Sequence, residues 1–249
     1  EPQQLAHDVA QEVLKDFGQQ TGTVRMAETA PEARKKLWRE QRIFPRAVDR
    51  EIVEIMHRTH IGVDAEYKNV IKQGLRASLG DGWGGSMIGT ELSDVIFGLP
   101  NPLKTLANIG ILKKDHVNLI VHGHEPTLSD IIAVISKEPE LLEKAKSVGA
   151  KGIQLGGICC TANEIMMRHG IPLCGSYMQQ ELALMTGVVD MMVVDVQCIW
   201  PGLENTAKCF HTKLVTTSPK AKMPGFEHIE FEEDRAAETD AILGGCRCR

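Results

Sequence analysis

Three apolar, strand-like runs in this chain each lead into a residue that can bind a soft metal. Val117 to Val121 runs into His122-Gly123-His124, Gly152 to Leu155 runs through two glycines into Cys159-Cys160, and Met191 to Val196 runs into Gln197-Cys198. Imidazole and thiolate together suit iron, zinc and iron–sulfur chemistry. Taken singly, each has an ordinary explanation: a histidine here can cap the following helix, and a free cysteine is often a small buried hydrophobe. Three strand ends that all supply His or Cys are harder to assign to packing. His122 and His124 flank a glycine and point the same way in extended geometry, whereas Cys159 and Cys160 point to opposite sides, so one of the two is expected at the rim. No C-x-x-C pair occurs, which counts against a closed structural zinc site.

Helical patterns lie between these runs, so the unit reads β-α-β-α-β. Expected strands cover 117–121, 152–157, 171–174, 191–196 and 213–218. Expected helices cover 127–148 (broken at Pro139), 161–169, 178–186 and 202–208. Five strands with helical crossovers imply a parallel sheet covered on both faces, with its ligands beyond the carboxyl ends of the strands. Upstream, Leu5, Val9, Val13 and Phe17 recur at helical spacing, Pro31 opens a charged helix, and Ala47 to His60 and Glu66 to Leu79 read as two more. The fold class is therefore α/β, a helical N-terminal part (1–112) followed by a Rossmann-like parallel sheet domain (113–235) and a tail (236–249).

Gly80-Asp81-Gly82-Trp83-Gly84-Gly85 matches the dinucleotide fingerprint letter for letter. That mechanism needs a strand before the glycines and a helix after them, and here a helix precedes them, so a permissive turn is expected. His57 and His60, at i and i+3 on one helix, read as packing or capping, Cys209 and His211, on the far side of a short helix, as packing or as support behind the ligands, and Cys174 ends only a short run. The chain contains no G-x-S-x-G elbow, phosphate-binding P-loop or H-E-x-x-H.

The net charge of -5 argues against a nucleic-acid backbone as partner. No apolar run approaches the roughly 20 residues that span a bilayer, and the start lacks a secretory pattern, so a cytoplasmic protein is expected. Seven cysteines, two of them adjacent, fit reduced thiols or metal thiolates better than a disulfide framework. The closing Cys246-Arg247-Cys248-Arg249 belongs to no pattern.

Val121-His122-Gly123-His124-Glu125-Pro126, Gly157-Ile158-Cys159-Cys160-Thr161-Ala162-Asn163-Glu164 and Val194-Asp195-Val196-Gln197-Cys198-Ile199 resemble the catalytic subunit of the nickel-iron carbon monoxide dehydrogenases. Asp94 to Gly98, Arg168 to Pro172 and Thr217 to Gly225 fit the same family. The resemblance implies a nickel-iron-sulfur cluster with a pendant iron held by His124 and Cys160, and with an iron of its cube held by Cys198. It implies further 4Fe-4S clusters in the full-length family, and Asp81 as a loose candidate to orient the histidine. The reaction implied is CO plus water giving CO2, two protons and two electrons, with nickel binding CO and the pendant iron activating water. Implied partners are a ferredoxin-type electron acceptor, a second copy in a homodimer and an acetyl-CoA synthase subunit.

The family also has a cysteine-rich N-terminal segment and a C-terminal domain with further cluster ligands and a lysine, and this sequence has neither. The alternative is a non-catalytic scaffold or partner-binding module with at most a simple iron or zinc at His124, Cys160 and Cys198. A third option, a cysteine–histidine hydrolase, requires one low-pKa thiol and no metal.

Overall fold

A computed structural model of the chain describes residues 2–232. The expected tail 236–249, with Cys246 and Cys248, lies outside the described residues. By its contacts the chain forms two compact units, residues 1–99 and 100–249.

The first unit is helical: α1 (Pro2–Gly18), α2 (Arg25–Glu28), α3 (Glu32–Gln41), α4 (Val48–Arg58), α5 (Tyr67–Gly80) and α6 (Met87–Phe97). The glycine-rich stretch is not a turn. It is a π-helical segment, Asp81–Ser86, that carries α5 on into α6. Glycine is required there by close approach, because a Cβ on Gly80 would lie 2.9 Å from the Arg46 carbonyl and one on Gly84 3.1 Å from the Phe17 ring. The segment read from sequence only as a short apolar run, Ser93 to Gly98, is the second half of α6. Val24, Ala27, Ala30 and Trp38 make this unit's core, with Trp38 edge-on to Phe44 and Trp83. Glu51 is fully buried on α4 and is held by the guanidinium groups of Arg46 and Arg76. His57 and His60 are both exposed, with ring centroids 6.4 Å apart.

The second unit alternates strands and helices: β1 (Val117–His122), α7 (Pro126–Ile135), α8 (Pro139–Ser147), β2 (Ile153–Ile158), α9 (Cys159–His169), β3 (Leu173–Gly175), α10 (Gln180–Met185), β4 (Val189–Val194), α11 (Leu203–Ala207), β5 (Lys213–Thr216) and β6 (Glu227–His228). The six strands form one sheet in the order β3-β2-β1-β4-β5-β6, and every neighbouring pair is parallel. All of β1 is buried, as expected of a central strand covered on both faces. Alternate side chains serve different layers. Leu119, Val121, Met191 and Val193 pack with Leu128 and Ile132 of α7 and Ile165 of α9, while Ile120, Met192 and Val194 pack with Leu184 of α10 and Leu203 of α11.

Several element boundaries differ from the sequence reading. β4 runs from 189 to 194 rather than 191 to 196, so Asp195 to Cys198 form a loop beyond the strand. α9 starts at Cys159, two residues earlier than expected. β6, only two residues long, carries no pattern that sequence could reveal. The proline break in the first crossover is real, since α7 ends at Ile135 and α8 starts with Pro139 at its first turn. Among the described residues, no helix is long and apolar enough to cross a membrane.

Candidate functional site

The chain leaves β1 for β2 on one side and later returns to place β4 on the other, so the strand order switches direction between β1 and β4. A crevice outside the carboxyl ends of the strands opens at such a point. The segment after β1 carries His124, the segment after β4 carries Cys198, and α9, which follows β2, carries Cys160 in its first turn.

Asp195 binds these three segments together. Its Oδ1 accepts from the backbone amide of His124 at 2.5 Å and from that of Val196. Its Oδ2 lies 3.1 Å from the hydroxyl of Thr161, the residue next to Cys160. The Thr161 hydroxyl also donates to the Glu125 carbonyl at 3.1 Å, and the Thr161 amide donates to the Gly123 carbonyl at 2.9 Å. Gly123 has φ 138, and a Cβ there would overlap Asp195 Oδ1 and lie 2.8 Å from the Val196 carbonyl. Glycine is thus obligatory between the two histidines, since the carboxylate passes against its α-carbon. Gly157 has a parallel role at the next strand: a Cβ there would lie 2.5 Å from the Ala162 Cβ, so only glycine lets α9 approach β2.

His124 is oriented for ligation. Its Nδ1 lies 3.1 Å from the Val196 carbonyl, an acceptor only, so Nδ1 carries the proton and Nε2 presents a bare lone pair. Nε2 is 3.9 Å from Cys198 Sγ. Two such ligands on one tetrahedral ion stand roughly 3.5 Å apart, so the observed pair needs only a small movement to share an ion or to serve neighbouring metals. Cys160 and Cys198 are exposed at the rim, and Cys159 is partly covered.

The thiols repel one another's charge. Burial, followed by the charges of Cys198 and Cys160, pushes the Cys159 thiol up to about 12. Burial, followed by Cys198, Glu164 and Asp195, raises Cys160. Neutral thiols crowded in this way become thiolates when a cation neutralises them, so the donor set suits a thiophilic metal or cluster. Among the described residues, no group of three His, Cys, Asp or Glu side chains stands close enough to hold a single ion.

His122, the other histidine of the pair, turns away from the rim into the protein. It is fully buried, with Nε2 3.1 Å from Gln180 Oε1 and Nδ1 without a partner among the described residues. Burial lowers its pKa and keeps it neutral. Cys174 is buried, and burial raises its thiol to about 11, as in an inert core cysteine. Cys209 Sγ contacts the Asn205 carbonyl at 3.8 Å, and His211 lies 3.2 Å from Asp190 at the opposite, N-terminal end of the sheet.

The profile of the Prismane/CO dehydrogenase family matches residues 1–243. The chain belongs to this family. It is 54% identical over 237 residues to carbon monoxide dehydrogenase 1 of Methanosarcina mazei, covering 95% of this chain and 38% of that protein. It is 48% identical over 240 residues to carbon monoxide dehydrogenase 1 of Carboxydothermus hydrogenoformans, covering 95% of this chain and 37% of that one. A nickel-free, as-isolated crystal structure of a carbon monoxide dehydrogenase from a Thermococcus species superposes with a TM-score of 0.84 at 48% identity, covering 96% of this chain and 38% of that one. A structure of acetyl-CoA synthase/carbon monoxide dehydrogenase, described by the NiZn[Fe4S4] and NiNi[Fe4S4] clusters in its alpha subunits, gives a TM-score of 0.81 at 40% identity over 96% of this chain and 36% of that one. The chain therefore spans well under half the length of the relatives it matches.

Within this carbon monoxide dehydrogenase-like scaffold, sequence reasoning singled out His124, Cys160 and Cys198 and passed over Asp195, Thr161 and Gln180, which hold them. Asp195 looked like one more strand residue. The available signal was an acid between valines in an otherwise apolar run, since a buried carboxylate must have partners.

Proposed function

We propose that this chain is the part of a nickel-iron carbon monoxide dehydrogenase that contributes His124, Cys160 and Cys198 to the active cluster, on a Rossmann-like sheet. The reaction is the interconversion of CO and CO2: CO + H2O gives CO2, two protons and two electrons. The observation that carries this reading is the bare Nε2 of His124, fixed by its Nδ1 bond to Val196 and facing Cys198 Sγ at 3.9 Å, in a chain of this family.

When bound, the cluster would supply a site for CO, Lewis acidity towards water and a sink for two electrons. The residues of this chain do the positioning. His124 holds its ring in one tautomer, and the Val196 carbonyl makes that ring a better donor. Asp195 keeps the His124 turn, the start of α9 and the Cys198 loop in one arrangement. Cys160 and Cys198 lie open at the rim, where a diatomic substrate and water can reach them. A ferredoxin-type acceptor, a homodimeric partner and an acetyl-CoA synthase subunit belong to the same proposal.

The experiment is CO-dependent reduction of a viologen dye by anaerobically reconstituted protein, beside His124→Ala and Cys160→Ala. The reading predicts activity in the protein containing this chain and its loss, by a hundredfold or more, in either variant. Equal rates in the variants would refute the assigned roles. A second reading, a scaffold with at most a simple metal, draws on the missing third donor among the described residues. It predicts one iron or zinc and no CO-dependent reduction.

A further inference from the structure

The loop that carries Cys198 has an unfavourable backbone. Gln197 has φ 63 and Cys198 φ 57, so two consecutive non-glycine residues sit in the left-handed region. Such residues persist only where their surroundings over-determine them. At its start the loop is held by Asp195 and His124, through the amide and carbonyl of Val196. At its end it is held by a residue from another element, Gln180, the first residue of α10.

Gln180 is fully buried, and its amide is saturated. Its Nε2 donates to the Tyr177 carbonyl at 2.7 Å and to the Cys198 carbonyl at 3.1 Å. Its Oε1 accepts from the Trp200 amide at 3.1 Å and lies 3.1 Å from His122 Nε2. A primary amide has two protons and two acceptor sites, and all four are used. These partners fix which way the amide faces, so the proton of His122 must sit on Nε2. One side chain thereby grips the peptide carbonyl of Cys198 and the amide of Trp200 and ties both to the last residue of β1, two before His124. The Tyr177 and Trp200 rings meet edge-on at 6.3 Å and close the same joint.

We infer that Gln180 is a positioning residue for Cys198: anchored on His122, it holds Gln197 and Cys198 in their left-handed conformation and so sets where the Cys198 thiol stands relative to His124. The inference takes from the proposed function only that Cys198 is a ligand. Gln180→Glu keeps the shape and both acceptor sites of Oε1 but turns its other carboxylate oxygen, in place of Nε2, towards the Tyr177 and Cys198 carbonyls. Gln180→Met keeps the length and removes every bond. Either change frees the loop to leave the left-handed region.

The test uses the full chain, reduced and metal-free, with iodoacetamide labelling read residue by residue by mass spectrometry. Cys209, exposed and beyond α11, is the internal reference. The Cys198 rate relative to Cys209 should rise at least threefold in Gln180→Glu and Gln180→Met. Adding Gln197→Gly, which removes the steric cost of the left-handed conformation at one position, should restore a ratio near that of the wild type. Cobalt(II) binding, followed by thiolate-to-cobalt absorption, should weaken about tenfold in Gln180→Met and recover with Gln197→Gly. A merely structural role for Gln180 would lower the melting temperature, raise labelling of Cys198 and Cys209 together and show no rescue by Gln197→Gly. That result, or an unchanged Cys198 ratio, overturns the inference. A changed and rescued ratio with unaltered cobalt binding upholds the positioning role and counts against Cys198 as a ligand.

Discussion

Two buried carboxylates, one in each unit, are held in opposite ways. Glu51 is fully buried in the helical unit, and burial opposes its charge, but the Arg46 and Arg76 guanidinium groups outweigh burial and lower its pKa. Asp195 at the sheet rim has no cation against it among the described residues. Burial pushes it up to about 6, opposed by the amides of Val196, His124 and Glu125 and by the Thr161 hydroxyl. The hydrogen-bond count agrees with a carboxyl that protonates readily. Thr161 has one proton but faces two acceptors, the Glu125 carbonyl and Asp195 Oδ2, and a proton on Oδ2 resolves the conflict. The helical unit fixes its charge by pairing it, whereas the rim holds its charge with neutral dipoles and leaves its thiols without a counter-ion. Glu51 is matched by charge within its own unit, and the rim carboxyl is matched by neutral hydrogen-bond donors.

The largest expected effect comes from the close approach that makes the rim possible. Gly123→Ala puts a Cβ onto Asp195 and forces a side-chain-bearing residue to φ 138, so urea denaturation should show a loss of about 4 kcal/mol or more. An effect under about 1 kcal/mol would mean that Asp195 does not grip the histidine turn. Next is Glu51→Gln, which takes the shared carboxylate from two partly buried arginines, of which Arg46 keeps Glu54, and should cost about 3 kcal/mol at neutral pH.

Asp195→Asn sharpens the contrast because it should act in the opposite direction. An asparagine can accept the His124 and Val196 amides at Oδ1 and donate to Thr161, so it mimics the acid protonated on Oδ2. Wild-type Asp195 has a folded pKa above its unfolded value, so its contribution is fully present below about pH 4 and is lost as pH rises through about 6. That loss is on the order of 3 kcal/mol. The variant should therefore match the wild type near pH 4 and exceed its stability at pH 8. Glu51, with its pKa lowered, contributes stability above its unfolded pKa and loses it as pH falls through the folded value, so Glu51→Gln should be most harmful at neutral pH. Denaturation of both variants from about pH 2 to 8 checks both signs, Asp195 between about 4 and 6 and Glu51 below the ordinary carboxylate range, and parallel profiles would break the comparison. Smallest is Thr161→Val, about 1 kcal/mol, from one lost hydroxyl between α9 and the histidine turn.

Much of the sheet unit was legible because β1 and β4 are apolar on both faces and sit between recognisable helices. Their parallel pairing follows from the helical crossovers between them, whereas the strand order was not legible. The ends of β4 were misplaced because Val196 continues the apolar run in sequence although the strand stops at Val194. A helix does precede the glycine fingerprint, but the expected turn is a π-helical segment, and the close approaches of Arg46 and Phe17 that require glycine there are ones local sequence does not bring near. His124 and Cys198 were recognisable as strand-end residues of the right chemistry. Gln180 was not, since a glutamine opening a helix looks like a surface residue until the carbonyl of Cys198 is placed against it.

The central claim, that this rim is part of a nickel-iron-sulfur centre, is tested most directly by iron, nickel and acid-labile sulfide per chain after strictly anaerobic reconstitution, beside Cys160→Ala and Cys198→Ala. The account predicts several irons with matching sulfide, falling in both variants. No metal, or a single zinc that neither substitution disturbs, would contradict it.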